Sequence, residues 1–112
     1  MLNQVVIVGR LVKSPEVKKL AGGSKVSKIT LAVPRSYKNI QGQYETDFID
    51  CTLWRGIAEN TAEYCKKGDI LAIKGRIESK VYEKEEKRKY ITEVVAEKVT
   101  FLPSGSKKEE QV

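Results

Sequence analysis

Four aromatic residues, Tyr37, Phe48, Trp54 and Tyr82, fall at positions where a core-building side chain is not expected, on outer faces that also carry Lys and Arg. Side chains alternate across a strand, so residues of like parity share a face. In the stretch ending at Trp54, Ile49, Cys51 and Leu53 form the apolar set, which leaves Phe48, Asp50, Thr52 and Trp54 together on the other side. Between Ile70 and Tyr82, Leu71, Ile73, Ile77 and Val81 are expected to point inward and Lys74, Arg76, Glu78, Lys80 and Tyr82 outward. An earlier strand adds Lys28 and Thr30 to an outer face, and Tyr37 lies at its rim between Arg35 and Lys38. Rings set among cations suit an unpaired nucleic-acid strand. Each base stacks on Trp, Tyr or Phe for about 1–3 kcal/mol, while cations follow the phosphates. Neither contact reads a base, so the expected selectivity is for strandedness. Taken singly, Phe48 or Trp54 would fit a subunit interface as well; four rings interleaved with cations favour nucleic acid.

Other chemistries find little support. The chain has no His, the commonest general base and metal ligand, and only two cysteines. Cys51 and Cys65 match neither a C-x-x-C redox pair nor zinc-knuckle spacing, and they read as reduced core thiols. Asp47 and Asp50 have opposite parity, and Glu85 and Glu86 lie within the charged run Glu83 to Lys89, which reads as a solvated hairpin tip. Neither pair makes a convergent pocket. Gly22-Gly23-Ser24-Lys25 lacks the full phosphate-loop spacing and reads as a hairpin turn. No enzyme, metal or cofactor is expected.

These residues must be positioned by one small unit. The chain has 112 residues, 40% of them apolar, and a net charge of +6. That length leaves no room for a second core. The longest uninterrupted apolar stretch, Val5 to Val8, is far short of the ~20 residues a membrane span needs, and Met1 to Gln4 lacks a charged leader. A protein that is not membrane-bound, in the cytoplasm and associated with the nucleoid, is expected. Asn3 to Val12 is rich in β-branched residues and nearly continuous in its hydrophobicity, which suggests a strand with one face on the core and the other on another subunit. Val26 to Val33 and Tyr44 to Trp54 read as further strands, and Ile70 to Tyr82 and Tyr90 to Leu102 as the last two. Between the third and fourth, residues 57 to 67 carry Ala58, Thr61, Ala62 and Cys65 at helical spacing, with Lys66 and Lys67 in the last turn and Gly68 after it. The order predicts an all-β fold: a five-stranded Greek-key OB-fold barrel with one short helix between strands 3 and 4. Residues 1–102 would form the domain and 103–112 a short flexible tail. That tail holds two Lys and two Glu, so the charge excess belongs to the barrel.

In order along the chain, Asn3-Gln4-Val5-Val6-Ile7-Val8-Gly9-Arg10-Leu11, Pro15-Glu16-Val17, Ile29-Thr30-Leu31-Ala32-Val33 and Asp47-Phe48-Ile49-Asp50-Cys51-Thr52-Leu53-Trp54 are followed by Ala58-Glu59-Asn60, Tyr64-Cys65-Lys66-Lys67-Gly68, Gly75-Arg76-Ile77 and Thr92-Glu93-Val94-Val95-Ala96. With these motifs the chain resembles the bacterial single-stranded DNA-binding protein family over residues 1 to about 102. The resemblance implies an OB-fold homotetramer that wraps single-stranded DNA in replication, recombination and repair. It carries the base-stacking roles to Tyr37, Phe48, Trp54 and Tyr82; the strand-face reading adds Lys28, Arg35, Lys38, Lys74, Arg76 and Lys80 as the expected phosphate contacts. Replicative members continue into a linker with an acidic tip that recruits other proteins. The ending Lys107-Lys108-Glu109-Glu110-Gln111-Val112 departs from that pattern and counts against such recruitment. It is similar to the short paralogues of Gram-positive bacteria used in DNA uptake, to versions on phage and mobile elements, or to a longer member cut short. An RNA-binding OB module and a protein-docking OB domain are the alternatives.

Overall fold

The structure is a computed structural model and describes residues 1–102; the expected flexible tail, 103–112, lies outside the described residues. The elements are β1 (Val5–Leu11), β2 (Lys18–Lys19), β3 (Lys25–Lys38), β4 (Tyr44–Trp54), α1 (Arg55–Tyr64), β5 (Ile70–Lys84) and β6 (Lys87–Leu102). Hydrogen bonding runs β1-β5-β6-β4-β3, and a short β1–β3 pairing at Arg10↔Ala32 and Leu11↔Leu31 closes the ring. Only β4 and β6 run parallel, at Cys51↔Val94 and Thr52↔Val95. This is the five-strand OB barrel expected from element order, with the two-residue β2 attached to the edge of β3. Counting β2 moves the helix from between strands 3 and 4 to between β4 and β5, and the fold class is unchanged.

Alternation puts Leu11, Ile29, Leu31, Cys51, Leu53, Leu71 and Ile73 inside, joined by Val94 and Ala96 from β6. Leu31, Leu53, Leu71 and Ile73 are fully enclosed, and each such burial stabilises by about 1.5–3 kcal/mol. Ala58 and Thr61 form the buried stripe of the helix, and Cys65, just past its end, joins Ala58 in the core. The helix ends at Tyr64, before Lys66 and Lys67, so neither lies in its last turn. Gly68, at φ 94°, serves the following Lys66–Asp69 turn instead. Neither cysteine forms a disulfide, and burial pushes the Cys51 thiol up to about 12.

Two glycines allow the barrel to close. A Cβ on Gly9 would lie 2.9 Å from the Ala32 carbonyl oxygen, and one on Gly75 would lie 2.0 Å from that of Val95. At Gly75 the β5–β6 ladder slips: Lys74 faces Lys98 but Gly75 faces Ala96, which leaves Glu97 unpaired. Past Ile77↔Val94, where β6 still pairs with β4, the two strands pair only with each other as an arm, turning at Glu85 and Glu86, both at positive φ. The slip changes which side is covered. Ile77 and Val81, expected inward, are 47% and 51% exposed, while Arg76, Glu78 and Lys80 are half-buried. The arm has no third strand to cover its apolar side. Asn3 pins its root: Nδ2 donates to the Ile77 carbonyl (2.8 Å) and the Ile77 N–H donates back to Oδ1 (2.9 Å). Val6 and Val8 on β1 are exposed on the face that the sequence assigned to another subunit.

Candidate nucleic-acid interface

The β3–β4 ladder sets side chains of like face opposite one another: Trp54 beside Val26, Thr52 beside Lys28, Asp50 beside Thr30, and Phe48 beside Ala32. The Thr30 hydroxyl donates to Asp50 Oδ1 at 2.9 Å. Phe48 is 66% exposed and Trp54 half-buried, about 20 Å apart along the strand. The strand that was expected to stop at Pro34 continues to Lys38 through a register shift, and it carries Tyr37 outward at 63% exposed. At the tip, Lys38 pairs with Tyr44 and its Nζ lies 5.6 Å from that ring's centre. The connecting loop is ordered by Asn39, whose Oδ1 accepts from the N–H groups of Gln41 and Gln43, both at 2.9 Å. Tyr44 had not been picked out from the sequence. It has the parity of Phe48 and Trp54, so carrying the alternation back to the strand's first residue would have found it. Tyr90, exposed opposite Val81, was also missed.

At the root of this face lies a carboxylate that strand alternation did not mark. Glu93, 8% exposed, accepts from the buried Thr52 hydroxyl at 2.9 Å and pairs with Lys80 Nζ at 2.7 Å. Lys80 Nζ in turn lies 5.9 Å from the centre of the Trp54 ring. β4, β5 and β6 are thus tied together beneath the indole. Burial opposes ionisation of Glu93, but the bonds from Lys80 and Thr52 and the charges of Lys80 and Lys28 outweigh it and hold the carboxyl below its ordinary value. Lys80 is correspondingly raised, first by its bond to Glu93. Thr52 was expected on the outer face; Glu93 and Lys80 cover it.

The expected phosphate contacts divide into two sets. Arg35 donates from Nε and Nη2 to Asp47 (2.9–3.2 Å) and from Nη1 to Glu45 (2.7 Å), which raises its own pKa and holds Asp47 below the usual carboxylate range. Arg76 is bound by Glu78 (2.7 Å) and Glu97 (3.1 Å). Lys28 and Lys74 have no ion pair among the described residues. Lys28 borders a cleft of about 420 Å³ with Lys13 and Lys18. Lys74 sits between Val6 and Lys98, about 20 Å along β5 from Lys80. The structure therefore gathers Lys28, Trp54 and Lys80, and two residues beyond Lys80 it places Tyr82, 47% exposed on the arm. Along the β3–β4 hairpin it places Phe48, Arg35, Tyr37 and Lys38, and it leaves Lys74 apart.

A closed Greek-key barrel with exposed rings among lysines along its strands has the architecture of the OB-fold binding proteins. Residues 2–102 match the Single-strand binding protein family, and the chain belongs to it. It is 50% identical over 103 residues to single-stranded DNA-binding protein B of Bacillus subtilis, covering 91% of each chain. It is 50% identical over 105 residues to single-stranded DNA-binding protein 3 of Listeria innocua, covering 93% of this chain and 66% of the relative. With the single-stranded DNA-binding protein of Halalkalibacterium halodurans the identity is 49% over 108 residues, 95% of this chain and 64% of the relative. The chain thus spans less than two thirds of the length of some of these relatives.

Proposed function

We propose that this chain binds single-stranded DNA without regard to sequence, by stacking bases on Tyr37, Phe48, Trp54 and Tyr82 and placing Lys28 and Lys38 against the phosphates, with Lys80 held beneath Trp54 by Glu93. The observation that carries the reading is the run of exposed and half-buried rings from Trp54 through Phe48 to Tyr37 along the β3–β4 hairpin, with Arg55 next to Trp54 and Arg35 and Lys38 flanking Tyr37. Membership of the family and the printed names of the relatives agree with it. Stacking needs no particular base, and phosphate contacts need none. The protein works by binding and carries out no chemistry. It protects exposed strands in replication, recombination, repair or DNA uptake, in the cytoplasm, as a homo-oligomer whose contacts use the open apolar face of β1. Among the described residues no helix is long and apolar enough to cross a membrane.

Trp54 is the only tryptophan and gives a direct signal. Titrating oligo-dT and a duplex of equal length should quench Trp54 fluorescence with the single strand at far lower concentration. Equal affinity for the two would overturn the proposal, and a preference for oligo-U over oligo-dT would redirect it to RNA.

A further inference from the structure

We propose that Arg55 is a phosphate contact that leads the strand off Trp54 into the cleft between the β2–β3 turn and α1. The inference rests on the single-strand reading above and extends it to a residue that neither strand parity nor the family resemblance marked.

The chain has five arginines. Arg10 donates to the Gly68 carbonyl at 2.7 Å, Arg35 is held by Asp47 and Glu45, Arg76 by Glu78 and Glu97, and Arg88 by Glu83 at 2.9 Å. Arg55 alone has no hydrogen bond or ion pair among the described residues, and it is exposed. Its backbone is at φ 53°, a left-handed conformation uncommon for a residue with a Cβ. It is also the first residue of α1, where a cation opposes the helix dipole, and no acidic residue in the first turn offsets it. Pairing, packing and helix stability therefore give no reason for an arginine here. Asn or Gly would fit the backbone better. A side chain set against two local preferences, that of the backbone and that of the helix dipole, with no hydrogen bond or ion pair among the described residues, points to a partner outside the chain.

Its surroundings say what that partner is. Arg55 directly follows Trp54, and it lines an open cleft of about 380 Å³ with Gly22, Gly23, Ser24, Lys25 and Glu59. In that cleft Lys25 Nζ is already occupied by Glu59 Oε1 at 2.9 Å. The guanidinium of Arg55 is thus the cleft's uncommitted charge, and its planar donor fork matches phosphodiester oxygens. A base stacked on Trp54 would bring its neighbouring phosphate toward the next residue in the chain.

The test uses the full chain with Arg55→Asn, which removes the charge and tolerates the left-handed backbone, and Arg55→Lys, which keeps the charge. Oligo-dT affinity is measured by Trp54 quenching over a series of salt concentrations, beside thermal unfolding. R55N should unfold no lower than wild type. It should bind more weakly, with a salt slope shallower by about 0.7, so that its deficit shrinks about 2.6-fold between about 50 and 200 mM salt. R55K should keep the wild-type slope. R55N with wild-type affinity and slope overturns the inference. In that case normal quenching by wild type leaves the single-strand reading standing, whereas wild type that fails to prefer oligo-dT over duplex removes both.

Discussion

Glu93 and Lys80 form an ion pair of 2.7 Å beneath the Trp54 ring, and the acid is the buried partner, at 8% exposure. A cation on a binding face would be expected to wait for phosphate; this one is held by the protein. The pair, with Thr52 on the other carboxylate oxygen, joins three strands and fixes the surface on which Trp54 rests.

Replacing Glu93 with Gln should therefore lower stability by about 1–3 kcal/mol at neutral pH, the usual range for weakening a buried charge-assisted bond. The effect is pH-dependent with a definite sign. The folded carboxyl lies below its ordinary value of 4.5, so its contribution is complete above that value and is lost as pH falls through the folded pKa. Urea unfolding of wild type and E93Q at neutral pH and in acid should give a gap that narrows on acidification. A gap independent of pH would mean that the charge is not the source.

Gly75 makes a sharper prediction. Its added Cβ would meet the Val95 carbonyl oxygen at 2.0 Å, and because the Cβ is fixed directly to the backbone and the oxygen is part of it, neither can swing aside. Gly75→Ala should destabilise by about 3 kcal/mol or more, beyond the usual overpacking range. Gly9→Ala, with its nearest contacts at 2.9 Å, should be milder. Denaturant midpoints of the two variants give the order, and equal midpoints would contradict the closure argument.

These two sites mark what the sequence could and could not reveal. Local hydrophobic patterning located the barrel strands and the buried helix positions Ala58 and Thr61, because those residues answer to local periodicity. It failed past Gly75. Ile77 and Val81 keep the parity of Leu71 and Ile73, but the ladder slips at Gly75 and the pairing with β1 ends there, and both residues are exposed. Glu93 was hidden for the opposite reason. A charged residue in a strand reads as solvent-facing, and its burial depends on Thr52 and Lys80, residues distant in sequence. The rings at Phe48 and Trp54 were visible by parity alone, and Tyr44 was passed over only because it opens its strand.

The division of cations into paired and unpaired makes a prediction about salt. Lys28 has no carboxylate partner among the described residues, so Lys28→Gln should lower oligo-dT affinity and reduce the salt slope by about 0.7. Arg35 is held by Asp47 and Glu45. Asp47→Asn removes one of those partners and should steepen the slope while weakening the β3–β4 hairpin. Parallel salt titrations of K28Q and D47N should move in opposite directions. Movement in the same direction would show that Arg35 does not gain a phosphate when Asp47 is removed.

Two tyrosines of similar exposure test whether position or mere accessibility makes a stacking site. Tyr44 is 60% exposed on the hairpin that carries Tyr37 and Phe48, with Lys38 over its ring. Tyr64 is 66% exposed at the end of α1, where it packs against Phe101 with ring centres 6.1 Å apart. If bases follow the β3–β4 hairpin, Tyr44→Ala should weaken oligo-dT binding by about 1–3 kcal/mol, the range for a lost stacked base. Tyr64→Ala should leave affinity unchanged and lower stability slightly through the lost ring contact. Equilibrium titration and thermal unfolding of both variants separate the cases. A loss of affinity in Y64A equal to that in Y44A would move the path of the strand from the hairpin to the helix.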